Sequence, residues 1–220
     1  YLNILASRHA EQHLRSVRKC LEDETPEVRR AALNALAVIG NQEDMDAVFE
    51  HLLAEEADGE ANAAREALAA IADKRQIRPV ALERIVNAFT NAGLDKQMRL
   101  LKTLGALGDK EALAEVGKIA ETTLFGEGRN MDLGNAALET LGTWQDVRAC
   151  DLLLNLLGRM ETPEMRQAVV IQIIIAAPRV YSNPDNQIEF LEKAKAMLTE
   201  EAEQELLTAA IEKAQIEKKK

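Results

Sequence analysis

The sequence predicts an all-α chain, an α-solenoid of about five to six stacked helix pairs. Three observations lead there. The stretch Thr25 to Asn41, TPEVRRAALNALAVIGN, holds a helix start, an apolar stripe and a helix stop in one unit. Its Leu36 recurs as Leu2, Ile71, Leu104, Leu141 and Ile173, at steps of 34, 35, 33, 37 and 32 residues. Finally, TPEVR at Thr25 to Arg29 nearly repeats as TPEMR at Thr162 to Arg166.

The reference unit explains itself physically. Thr25 can accept a hydrogen bond from a backbone N–H of the first turn, and Pro26 stands where its missing N–H costs nothing. Val28, Ala32, Leu33, Leu36 and Ile39 follow at three- and four-residue steps and make one apolar stripe. Gly40-Asn41 reads as a left-handed stop. A unit of about four turns cannot bury this stripe alone. Leu33, Leu68, Leu101, Leu138 and Val170 keep the register of Leu36 and its copies, which indicates stacked supersecondary units.

The run from Pro26 to Asn41, PEVRRAALNALAVIGN, resembles the second helix of a HEAT repeat of the bacterial HEAT-like kind, with a pattern near P-x-V-R-x-x-A-x-x-A-L-x-x-I-G. Arg65 to Asp73, Met98 to Asp109 and Glu164 to Ala177 follow it fairly, and Asn135 to Asp146 loosely. The resemblance implies a right-handed α–α superhelix, the HEAT-like solenoid. It also implies a surface for binding proteins. Tetratricopeptide repeats share the period but need aromatics at set positions, and the chain has only four Phe, two Tyr and one Trp.

In chain order, the repeats are placed roughly at 1–7 (partial), 8–41, 42–75, 76–109, 110–146, 147–180 and 181–220, one domain in all. The first outer helix is read at Ala10 to Leu21, with Leu14, Val17 and Leu21 inward. Asp44 to Ala54 and Glu60 to Ala72 form the next pair, joined by a polar turn at Ala57 to Glu60. Pro79 opens a helix to about Ala92, followed by Leu94 to Leu107. Lys110 to Thr122 leads through a connection, Thr123 to Asn130, to Met131 to Leu141. That connection accounts for the 37-residue step. It carries Phe125, read either as part of a contact loop or as tucked against its own repeat. Val147 to Met160 and Pro163 to Ala177 form the fifth pair. Asn183-Pro184 opens the sixth, whose last helix, Glu200 to Ile216, carries the stripe Leu206, Leu207, Ala210, Ile211 and Ala214.

Composition narrows the function. A net charge of −10 argues against nucleic acid or an anionic membrane as the main partner. The longest apolar run, Ala168 to Ala177, contains Gln172 and is shorter than the roughly 18 residues of a membrane span. Cys20 and Cys150 fall in the first and fifth pairs, and no disulfide is expected between them. Leu2-Asn3-Ile4-Leu5 aligns with the end of a second helix, so the chain is expected to be a C-terminal fragment of a longer protein. The compartment stays open.

No reaction is written in these residues. His9 and His13 share a metal-type spacing but lack a third ligand nearby, and no metal or cofactor is assigned. The deoxyhypusine hydroxylases of the HEAT-like group bind iron through His-Glu pairs. Here His9, His13 and His51 are followed by Ala10, Leu14 and Leu52, so that carry-over fails. Arg29, Arg65, Arg99 and Arg166 are read as a structural ladder with Asp73, Asp109 and Asp146, which end their helices.

The outward positions of the second helices, Asn34 and Val38 in the reference copy, become Ala69 and Asp73, Lys102 and Ala106, Glu139 and Thr143, then Ile171 and Ile175. Polarity is lost at the fifth copy. Ile171 and Ile175, with Arg166 and Phe125, are the candidate partner-binding surface, unless the sixth pair covers the two isoleucines. The expected function is a noncatalytic scaffold that binds a protein partner or another domain of the same chain. The alternative is an accessory domain of a multidomain enzyme whose catalytic part lies outside these residues.

Overall fold

A computed structural model describes residues 13–54, 58–74 and 76–218, and all regular structure among them is helical. The chain forms two compact units, Tyr1–Ala112 and Leu113–Lys220. Among the described residues no helix is long and apolar enough to cross a membrane. His9 and the Leu2 copy of the register lie outside the described residues.

In the first unit, α1 (Leu14–Lys19) leads through a 3-10 turn, Cys20–Glu22, into α2 (Pro26–Ile39). A second 3-10 turn, Gln42–Asp44, precedes α3 (Met45–Leu53), α4 (Asp58–Lys74), α5 (Arg78–Asn91) and α6 (Leu94–Leu107). Helix α4 packs against both α2 and α6, while α3 and α5 lie against α4 and α6. The second helices α2, α4 and α6 thus share one layer, as the stripes require. Leu33, Leu36, Leu68, Ile71, Leu101 and Leu104 are all 0% exposed, so the sequence register is the packing register. Asp58 to Glu60, read as part of a turn, belong to the start of α4.

Two termini differ from the sequence reading. Gly40 is extended, with φ −64° and ψ 162°, and not left-handed. Its release from the helix lets Asn41 cap the following turn: the Asn41 side chain accepts from Glu43 N at 2.9 Å, and Asn41 N donates to Asp44 Oδ2 at 2.8 Å. Glycine is required at position 40 for room, since a Cβ would stand 2.4 Å from Leu36 O and 2.9 Å from Ile71 Cδ1. The left-handed glycine is Gly108, at φ 68°, ending α6. At the other end of α2, the Thr25 side chain makes no cap bond. Instead Thr25 N donates to Asp23 Oδ1 at 2.9 Å, so the aspartate orders the turn from outside.

The second unit is built on α7 (Lys110–Phe125), which begins just before it, then α8 (Met131–Gly142), α9 (Val147–Leu157), α10 (Pro163–Val180), α11 (Pro184–Ala196) and α12 (Glu201–Lys218). Helix α10 is its centre, in contact with α8, α9, α11 and α12. Leu141, Val170 and Ile173 are 0% exposed and Leu138 1%. Thr162 does cap α10, its Oγ1 accepting from Met165 N at 3.3 Å. Helix α10 continues through Pro178 to Val180, beyond the Ala177 end read from the sequence. In α12 the buried side is Glu203, Leu207, Ile211 and Ala214. Leu206, placed in that stripe from the sequence, is 38% exposed, because a step of one residue turns it about 100° away from Leu207.

Candidate functional site

The repeated TPE-x-R motif builds the same clamp twice. In the first unit Arg29 Nε donates to Glu60 Oε1 at 2.9 Å, and its Nη2 to Glu60 Oε2 at 3.0 Å. Its Nη1 holds the carbonyls of Asp23 and Glu24, at 2.9 and 3.2 Å, in the turn before α2. In the second unit Arg166 Nε reaches both Glu203 oxygens at 3.0 and 3.1 Å. Its Nη1 reaches the carbonyls of Met160 and Glu161 at 3.5 and 3.4 Å. Each arginine therefore ties its own entry turn to the first turn of the next second helix. The Glu60 and Glu203 side chains are only 2% and 7% exposed, so these charge-assisted pairs work in a poorly hydrated setting. His51 joins the first clamp, with Nδ1 2.8 Å from Glu60 Oε1.

This corrects the ladder expected from the sequence. Asp73 pairs with Arg78 at 2.7 Å. Asp109 accepts from Ala112 N at 2.7 Å, and Asp146 accepts from Arg148 N at 2.9 Å. All three serve local turns and caps. Arg29 and Arg166 stand seven residues before Leu36 and Ile173, whereas Arg65 and Arg99 stand six and five before Ile71 and Leu104. At about 100° per residue, that offset turns Arg65 and Arg99 onto a different face. The glutamate partners were missed because they lie 31 and 37 residues after their arginines. The near-identical pentapeptide was the signal that a shared contact existed.

The outward face of α10 is apolar for one turn. Ile171 and Ile175 are 43% and 37% exposed, and helix α12, which packs on α10, leaves both open to solvent. They are four residues apart and lie on one side of the helix. Among the described residues no other two exposed large apolar side chains stand one turn apart. Exposed Gln167 and Arg179 extend the same face at the same spacing, and Glu139 on neighbouring α8 and Thr143 just after it are also exposed.

Phe125 is the last residue of α7 and not part of the connection, which is reduced to Gly126 to Asn130. Its ring lies 4.2 Å beneath the Arg159 guanidinium, whose Nη1 also bonds Glu121 Oε1 at 2.7 Å. The ring is half-buried. Arg129 of the connection stands 3.9 Å from Glu161. Of the four predicted residues, Ile171 and Ile175 offer open surface, Phe125 is half-buried beneath Arg159, and Arg166 is engaged internally.

Titratable groups add little chemistry. Cys150 is fully buried and burial pushes its thiol up to about 12, while Tyr181 beside it is likewise raised by burial to about 12. Such a thiol is a poor nucleophile. Cys20 and Cys150 are both free. The hydrogen bonds from Arg148 hold Asp146 down to about 2.

Residues 1–69 match a family model described as HEAT repeats. Among solved structures, the chain is similar to human deoxyhypusine hydroxylase in complex with glycerol, at 17% identity over 98% of this chain and 76% of that one, with a TM-score of 0.42. It is also similar to the complex of CpcE and CpcF of phycocyanin lyase from Nostoc sp. PCC7120, at 16% identity over 96% of this chain and 86% of that one, with a TM-score of 0.41. No curated protein matches the sequence. Residues 1–69 are thus similar to HEAT repeats, and the described residues form an all-α fold whose helices pack consecutively within each unit.

Proposed function

We propose that this chain is a noncatalytic interaction scaffold that uses the Ile171–Ile175 face of α10 to hold a protein partner or another domain of the same chain. The observation that carries the reading is the isolated pair of exposed isoleucines on the most thoroughly packed helix of its unit. A rigid helix with an apolar turn framed by polar side chains suits a short amphipathic segment laid across it. Phe125 supplies a half-buried aromatic ring elsewhere in the same unit. Arg166 acts by holding α10 to α12, and so fixes the presenting face.

The test is affinity capture from native cells with the parent chain and with Ile175→Lys, alongside thermal melting of both. The proposal expects a captured partner with the parent, loss of that partner with the variant, and an unchanged melting midpoint. Retained capture by a well-folded variant, or a collapse of the midpoint, would overturn it.

A further inference from the structure

We infer that the first unit carries a second, anion-selective docking site for an acidic peptide segment, independent of the isoleucine face. A recess of about 170 Å³ opens between α4 and α6, lined by Leu52, Ala61, Asn62, Arg65, Arg99 and Lys102. Its floor is apolar, since Leu52 and Ala61 are buried at 1% and 7% exposure. Among the described residues its walls hold three cationic side chains, one carboxamide and no carboxylate.

That composition runs against the chain as a whole, whose net charge is −10. It also differs from the setting of the two clamp arginines, since Arg29 and Arg166 are neutralised by buried glutamates. Arg65 and Lys102 make no ion pair among the described residues, and the Arg99 guanidinium is oriented by the Ala54 carbonyl. The register offset described above sets Arg65 and Arg99 apart from Arg29 and Arg166, while Lys102 holds the outward position that Asn34 has in the reference copy.

Guanidinium, ammonium and carboxamide groups all donate, so the matching ligand is a cluster of acceptor oxygens. The volume suits one or two carboxylate side chains, with the Leu52–Ala61 floor receiving their methylenes. A peptide bearing consecutive glutamates meets both demands, and in a chain of strong negative charge the local reversal of sign supplies selectivity.

Fluorescence anisotropy with labelled hexaglutamate and hexaglutamine peptides tests this on the purified chain. Hexaglutamate should bind at least about tenfold more tightly than hexaglutamine, with affinity falling as salt rises. The double variant Arg65→Gln/Lys102→Gln should lose at least about tenfold in hexaglutamate affinity without a change in melting midpoint. Ile175→Lys should leave it unaltered, which separates failure here from failure of the isoleucine face. Equal binding of the two peptides, or full hexaglutamate affinity in the double variant, would overturn the inference. Displacement of hexaglutamate by equimolar inorganic phosphate would overturn the peptide as occupant and assign the recess to small oxyanions.

Discussion

A single guanidinium decides how each entry turn meets the next helix. Arg166→Ala would leave Glu203 buried without its cation, so a loss of about 3–5 kcal/mol is expected in urea unfolding. Asp46→Ala, which breaks the exposed pair with Arg84, should cost no more than about 1 kcal/mol. A second prediction concerns acid. Asp146 is held at about 2 against an ordinary 3.8, so its stabilisation is present above 3.8 and is lost as pH falls through about 2. Asp146→Asn should flatten the acid limb of the stability profile over that window. The sequence made the twin arginines legible but hid their glutamates. A pentapeptide repeat is visible at a glance, while partners at unequal distances become neighbours only once the helices stack.

At the level of the helix, small residues set how closely neighbours approach. A Cβ at Gly142 would stand 3.1 Å from Gln172 Cβ and 2.3 Å from Gln172 Oε1, and Gln172 is itself buried. Gly142→Ala should therefore force α8 from α10 and cost about 1–3 kcal/mol in denaturant unfolding. Gly40→Ala should behave alike, crowded by Leu36 O and Ile71 Cδ1. The sequence showed where α2 ends but not how. A glycine after a helix usually signals a left-handed cap, whereas here the demand is for room against Leu36 O and against Ile71 of the next repeat, the second a contact no local pattern contains. The connection Thr123 to Asn130 was shortened for a related reason. Thr123 Oγ1 bonds the Ile119 carbonyl at 2.7 Å, and α7 runs on to Phe125.

The molecule as a whole obeys the register far better than its surface chemistry could be foreseen. Leu36, Ile71, Leu104, Leu141 and Ile173 all reach 0% exposure, because each unit must hide the same stripe. Outward positions carry no such constraint, and so the cationic recess was not legible while the isoleucine pair was: two isoleucines on a polar face break a pattern, but three basic residues on different turns do not. Ile173 and Ile175 stand two residues apart on α10, one buried and one exposed. Stability and partner capture should be measured together for Ile173→Ala and Ile175→Lys. Ile173→Ala should lose about 2–5 kcal/mol of stability, while Ile175→Lys should keep its stability and lose the partner. An Ile173→Ala variant of parental stability, or an Ile175→Lys variant that unfolds or still holds its partner, would contradict these assignments.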